Sequence, residues 1–455
     1  MYQKKQHIHF VGIGGIGMSG IAELLLNLGH QVSGSDLKDN ESVRRLRSLD
    51  ALIYLGHDGQ NIVGADVVVI SSAVAADNVE VLAAQEMMVP VISRAEMLAE
   101  LMRLKYGIAV AGAHGKTTTT SILASLMAAG GLDPTVVVGG RLNAFGSNAR
   151  LGNGDFLVAE ADESDGSFNR LSPVVTVVTN IDREHMEHYG TDEAVDDAFV
   201  EFMNKVPFYG AIVVCLDNSR LAALLPRLRK RTISYGLNAQ ADFQARDILP
   251  EDGGSSFSLY FRGDYQGRVW MPFPGQHYIL NTLGALGAAC EIGVDMKTAM
   301  AACAEFAGVK RRFEQKGVAE SGAIIMDDYA HHPNEIKATL EAARQRWPEK
   351  RLVICFQPHR YSRTQDLMEQ FAQAFYEADE LLLLDIYGAG EKPINNINSQ
   401  MLAEQIRRHG HRKVEYIGAM SLAQQRLHAV LDEKCVFFTM GAGDVYRLGE
   451  ELIGN

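Results

Sequence analysis

Residues 109–120 read AVAGAHGKTTTT, and how that run is parsed decides the fold around it. The usual phosphate-binding loop is G-x-x-x-x-G-K-[ST]. Gly115, Lys116 and Thr117 supply its end, but Val110 stands where its first glycine belongs, and the glycine present is Gly112. The flanks are those of a working loop. Residues 108–111 form an apolar strand. TTTTSILASLMAAGG forms a helix with Ile122, Leu123 and Leu126 on one face, ending at Gly130 and Gly131. Between them, glycines free backbone N–H groups to face phosphate oxygens, and the helix N-terminus adds its positive end. Lys116 is placed to reach β- and γ-phosphates and Thr117 to ligate Mg2+. The loop is shortened, and it keeps its chemistry.

Outward from this loop the strand–helix rhythm repeats along the chain. Short Val- and Ile-rich runs alternating with helical patterns predict an α/β fold with largely parallel sheets. The first segment opens on HIHFVGIGG and continues through HQVSGSD, ADVVVISS and VPVIS, then RAEMLAELMRL. The second carries strands at 108–111, 156–160, 174–179 and 211–215. It ends in the alternating runs ADFQARDI, SSFSLYFRG and GRVWMPFP, which suit antiparallel strands with one wet face. The third begins near KGVAESGAIIMDDYA and repeats the rhythm in RLVICF, ELLLLD, VEYIG and CVFFTMG. The expected domains are 1–106, 107–314 and 315–455: Rossmann-like, ATPase-like with a mixed sheet, and Rossmann-like again.

The composition fits. The 455 residues exceed one ordinary core, and 47% hydrophobic with 22% charged residues is ordinary for a globular protein. A net charge of -13 argues against nucleic acid as partner. Five scattered cysteines (Cys215, Cys290, Cys303, Cys355, Cys435) form neither a disulfide framework nor a zinc motif. No signal-like N-terminus and no run of about 18 apolar residues is present. A cytoplasmic protein without membrane insertion is expected; oligomeric state is not set by the sequence.

A second glycine loop lies near the N-terminus. Gly12, Gly14 and Gly17 of GIGGIG follow a strand and precede a helix, and Asp36 ends the next strand. This is the pattern of a dinucleotide site, in which glycines let the backbone approach a diphosphate. By itself it leaves open a nicotinamide enzyme, another diphosphate ligand, or a mere packing turn.

Acids follow the central loop at strand ends. FLVAEADESD ends a strand at Glu160, where an unpaired acid would be costly, and VVTVVTNIDREH ends another near Asn180 and Asp182, with His185 beyond. Asp162, Glu163 and Asp165 are read as solvated loop acids. In the third segment His359, Arg360 and Arg363 of FQPHRYSRT sit at a strand-to-helix junction, where paired guanidinium groups suit a small carboxylate.

Taken together, GAHGKTTTT, AEADESD, TNIDREHMEHY, KRRFE, DDYAHHP and FQPHRYSRT, in this order along the whole chain, resemble the Mur ligases. The branch most similar joins L-alanine to UDP-N-acetylmuramate in peptidoglycan synthesis. The resemblance makes the short loop normal, with Ala113 where threonine is usual, and implies ATP and Mg2+ (or Mn2+). It turns Gly12, Gly14, Gly15 and Gly17 toward the UDP diphosphate, with Ser35 and Asp36 near the nucleotide end. It implies that Gly112, Ala113, His114, Gly115, Lys116, Thr117, Thr118, Asn281 and Arg312 serve ATP, and that Thr117, Glu160 and His185 hold metal. It implies catalytic roles for Lys116, Glu160, His185 and Asp328, and amino-acid binding by His331, His359, Arg360 and Arg363. Tyr278 replaces a common asparagine and is left out of the site. Rival readings are the sister ligase for a recycled tripeptide, a nicotinamide-dependent dehydrogenase, and a non-catalytic nucleotide sensor. Several sister ligases carry a carbamylated lysine where this chain has Val200, so no carbamate is expected here.

Overall fold

The computed structural model describes residues 5–71, 73–138 and 149–453. They build three sheets. The first is parallel, with strands β1 (His7–Val11), β2 (Gln31–Asp36), β3 (Leu52–Leu55), β4 (Val67–Ile70) and β5 (Val91–Ser93) in the order β3-β2-β1-β4-β5. The order runs outward in both directions from β1, so the glycine loop after β1 sits where the topology switches. That is where open α/β sheets leave a ligand crevice.

The second sheet comprises β6 (Tyr106–Ala111), β7 (Thr135–Val137), β8 (Ala149–Arg150), β9 (Phe156–Glu160), β10 (Val175–Val178), β11 (Ala211–Cys215), β12 (Thr232–Gly236), β13 (Phe243–Glu251), β14 (Gly254–Phe261) and β15 (Asp264–Met271). Their order is β15-β14-β13-β12-β11-β10-β6-β9-β7-β8, with β6 central. The two strands on one side of it, β10 and β11, expose none of their residues, which is why they read as unbroken apolar runs. β13, β14 and β15 are joined by Asp252–Gly253 and Arg262–Gly263, where both residues of each pair have positive φ, as tight hairpin turns demand.

The third sheet has the order β16-β17-β21-β18-β19-β20 and comprises β16 (Glu314–Val318), β17 (Ile324–Asp328), β18 (Arg351–Phe356), β19 (Glu380–Leu384), β20 (Val414–Gly418) and β21 (Cys435–Met440). β16 is antiparallel and the rest are parallel. Ile325, Val353, Leu382 and Phe437 meet Ala423, Leu427 and Leu448 in its core.

The chain divides into two compact units. One comprises Met1–Asp247, Phe257–Val269 and Leu280–Ala307, and holds the first sheet and most of the second. The other comprises Ile248–Ser256, Trp270–Ile279 and Gly308–Asn455, and holds the third. Among the described residues no helix is long and apolar enough to cross a membrane.

Candidate active site

Each sheet presents functional groups at the C-terminal ends of its strands. On the first, Gly12 takes φ 76° and its N–H donates to the Ser35 carbonyl at 2.8 Å, which turns the chain sharply out of β1. Gly14 N–H donates to Asp36 Oδ2 at 2.9 Å, and Asn40 Nδ2 donates to the Gly14 carbonyl at 3.1 Å. Gly15 caps the helix Ile16–Asn27. A Cβ on Gly17 would lie 2.8 Å from the Arg94 guanidinium. Asp36 thus shapes the loop itself. Ser35 is fully buried, and its hydroxyl donates to Glu80 at 2.5 Å. Burial pushes the Glu80 carboxyl up, but bonds from His9, Ser35, Asn61 and His57 outweigh it and hold the pKa at about 2. Ser35 therefore faces a buried polar network beneath the loop.

The second sheet places the short phosphate loop between β6 and the helix Lys116–Ala129. Gly112, at φ 131°, passes so close to β10's continuation that a Cβ would lie 2.2 Å from Thr179 Oγ1. That contact, rather than the generic loop pattern, fixes where the glycine must be. Thr179 Oγ1 donates to the His114 carbonyl at 2.6 Å, while Asn180 Oδ1 accepts from His114 N–H at 2.9 Å. His114 Nε2 lies 3.3 Å from Asp182. Gly115 caps the helix at φ 81°, with Asn281 against it. Ala113 and Gly115 bracket His114, and Thr117 and Thr118 are buried in the first helical turn. Loop, helix start and Asn281 therefore converge in one unit.

Lys116 is where the acid run shows its structure. Its Nζ donates to the Gly112 carbonyl at 2.6 Å and to both Glu163 oxygens at 2.8 Å. Burial opposes the charge on Lys116, yet the carboxylates of Glu163, Asp162 and Glu184 hold its pKa above the ordinary lysine value. Glu163 is 3% exposed, so its reading as a solvated acid is corrected: the loop after β9 turns it inward onto the lysine. Asp162 is half-exposed and pairs with Arg94 at 2.9 Å. Glu160 ends β9 in register with Val110 of β6.

His185 follows β10 with a left-handed backbone, φ 58°, at the start of the turn Met186–Tyr189. Its Nε2 lies 4.0 Å from Glu163 and 3.8 Å from Glu184. One ligand atom each from Glu163, Glu184 and His185 lies within 4.8 Å of the others. Carboxylate oxygens with one imidazole suit Mg2+ or Mn2+, so the residues present fit a divalent ion. The sequence pattern singles out neither Glu184 nor Glu163, which it presents as a solvated loop acid.

In the other unit, Asp328 ends β17 and accepts N–H bonds from Phe313 at 2.7 Å and Ala330 at 2.8 Å. Burial pushes its carboxyl up to about 6, against the pull of Arg312. Arg312 lies 3.6 Å from Glu335 and over the Tyr329 ring, and the Tyr278 hydroxyl donates to its carbonyl at 3.1 Å. His331 and His359 stand with ring centres 6.0 Å apart, and Arg363 reaches His359 Nδ1 at 3.4 Å. Arg360, at φ 71°, begins the helix Tyr361–Asp366. His359 stacks on Tyr387 at 5.6 Å. Burial, then the neighbouring His331, Arg363 and Arg360, drop the His359 pKa to about 3. A neutral imidazole beside two guanidinium groups is chemistry that suits a small anion.

Two glycine loops and a cluster of histidines and arginines, carried on three α/β sheets, suit a nucleotide-using ligase, and comparison with known proteins gives that class. Profiles of the Mur ligase family match residues 7–106 (catalytic domain), 110–289 (middle domain) and 311–443 (glutamate ligase domain). The chain belongs to the Mur ligase family. It is 54% identical over 455 residues to a UDP-N-acetylmuramate–L-alanine ligase of Desulfosudis oleivorans, covering 100% of this chain and 99% of the relative. It is 55% identical over 453 residues to the same ligase of Geobacter sp. strain M21, covering 100% and 98%. A solved UDP-N-acetylmuramate–alanine ligase from Thermotoga maritima superposes with a TM-score of 0.84 at 27% identity, covering 98% of both chains. A murein peptide ligase from Psychrobacter arcticus shares the fold, with a TM-score of 0.74 at 24% identity and 98% of both chains covered.

Proposed function

We propose that this chain is the ATP-dependent amide ligase that joins L-alanine to the lactyl carboxylate of UDP-N-acetylmuramate in peptidoglycan precursor synthesis. The observation that carries the reading is full-length identity above half to ligases of that activity. In the reaction the lactyl carboxylate attacks the γ-phosphorus of ATP, giving an acyl phosphate and ADP. The α-amine of L-alanine then attacks the acyl carbon, loses a proton, and phosphate leaves.

Residue roles follow from the geometry as proposals. Gly12, Gly14, Gly15 and Gly17 would cradle the UDP diphosphate, with Asp36 holding the loop. The loop 112–115, Asn281 and Arg312 would take ATP. Lys116 would stabilise charge on the transferred phosphoryl group, where two anions approach. Thr117 and Glu160 would hold one Mg2+ and His185 a second, and these ions when bound would supply charge neutralisation for that transfer. His331, His359, Arg360 and Arg363 would take the L-alanine carboxylate, and Asp328 would order the loop beside them. Domain borders near 106 and 314 and a cytoplasmic location belong to the same reading. The test is phosphate release from ATP and UDP-N-acetylmuramate with L-alanine, glycine, L-serine or the tripeptide. L-Alanine should give the highest kcat/KM; a preference for the tripeptide would replace this reading with the sister activity.

A further inference from the structure

Lys116 does not point into an open phosphate cradle. Its ammonium is folded back, donating to the carbonyl of Gly112 at 2.6 Å and to both oxygens of Glu163 at 2.8 Å. The lysine side chain is 18% exposed and the glutamate 5%, so the pair is shielded from water and salt. A nucleotide that takes the lysine must strip it from this carboxylate. A buried carboxylate left without a partner is costly. The structure offers Glu163 a destination: Oε1, one of the two oxygens on Lys116, already lies 4.0 Å from His185 Nε2, and Glu184 completes the group within 4.8 Å.

We propose that Glu163 is an exchangeable counter-ion: it holds Lys116 on the loop until a polyphosphate takes the lysine, and its freed carboxylate then faces the divalent cation arriving with the nucleotide at His185 and Glu184. The inference rests on the ligase reading and assigns Glu163 a positioning role. Its consequence is a coupling between metal and nucleotide. Without metal, Glu163 competes with phosphate for the lysine and repels it, so nucleotide binds weakly. With metal, both negative groups find cations.

The test is ADP affinity of the full-length protein by calorimetry, in EDTA and in Mg2+, for wild type, Glu163→Gln and Glu163→Asp. Wild type should bind Mg2+·ADP more tightly than ADP in EDTA. Glu163→Gln should bind metal-free ADP roughly ten-fold more tightly than wild type, since a charge-assisted bond to the lysine no longer competes, and should lose most of the tightening given by Mg2+. Glu163→Asp, with the charge kept but withdrawn by one methylene, should fall between. Metal-free ADP bound by Glu163→Gln no better than by wild type overturns the counter-ion role. An unchanged Mg2+ effect overturns the exchange toward the cation. If wild type binds no ADP under either condition, the ligase reading itself fails, which is a different outcome.

Discussion

The side-chain oxygen of Asn281 stands 2.5 Å from the point that a Cβ on Gly115 would occupy. Gly115 also has φ 81°, a conformation that L side chains rarely adopt. Gly115→Ala should therefore weaken ADP binding at least ten-fold while leaving UDP-N-acetylmuramate binding within about two-fold, because the clash and the strain are confined to the central loop. Adding Asn281→Ala removes the clash but leaves the φ strain and takes away a group proposed to touch the nucleotide, so it should not restore full binding. Calorimetry with each nucleotide checks both statements; full rescue would mean the backbone at Gly115 is not strained.

Lys116→Ala should abolish phosphate release and spare UDP-N-acetylmuramate binding. The two glycine loops follow β1 and β6, central strands of different sheets, so one can lose its cation without disturbing the other. The measurement is phosphate release at saturating substrates beside equilibrium binding of the nucleotide sugar. Equal loss of both ligands in a folded variant would contradict two separate sites.

Much of this architecture was legible because parallel strands buried on both faces must be continuously apolar. RLVICF and AIVVC coincide with β18 and β11. β3 was not read: Leu52 and Leu55 are exposed, so LIYL lacks the signature of a buried strand. At the site, motif spacing located the loop, Lys116 and Glu160, since these are set by local strand–turn–helix geometry. It could not separate Glu163 from Asp162, neighbours of like charge whose burial depends on how a non-repeating turn packs on Lys116. Nor could it place Ser35, whose partner Glu80 lies 45 positions away. Long-range polar pairing leaves no period in the sequence.

Arg363→Ala should raise the KM for L-alanine far more than the KM for ATP. Arg363 touches His359 at 3.4 Å, beside Arg360 and His331, in a cluster that suits a small carboxylate. Losing one side of a buried guanidinium–carboxylate contact costs on the order of 2–5 kcal/mol. Steady-state kinetics varying each substrate separate the two; an unchanged alanine KM would remove Arg363 from the amino-acid site.

Acid should switch the enzyme off through Asp328. Burial pushes its carboxyl up to about 6, and only the ionised form accepts freely from Phe313 and Ala330. Activity should fall as pH drops through about 6. His359, held at about 3, stays neutral across that range and cannot supply the limb. The stability sign is opposite: a carboxyl raised in the folded state favours folding most below its unfolded value and loses that contribution as pH rises through about 6. Profiles of kcat/KM for wild type and Asp328→Asn decide the matter, since a limb surviving in the variant belongs to another group.

The second metal should be held without a carbamylated lysine. The place such a lysine takes in sister ligases falls at Val200, which is 9% exposed on the helix Asp192–Asn204, between the buried Phe199 and Met203. Valine cannot be carbamylated, and its neighbours leave it facing the apolar side of the helix. The nearest lysine, Lys205, sits past the end of that helix. Its ammonium donates to the Asn169 carbonyl and lies 3.2 Å from Glu201. That geometry uses Lys205 as a charged helix-end anchor, favourable beside the C-terminal carbonyls, and ties it to a carbonyl and a carboxylate. A carbamate there would be an anion against those oxygens. Lys205→Ala should therefore keep near-normal kcat, with a modest loss of thermal stability, and removing bicarbonate should change nothing. An inactive Lys205→Ala that is rescued by short-chain carboxylates would show instead that a carbamate forms and that the helix turns differently when substrates bind.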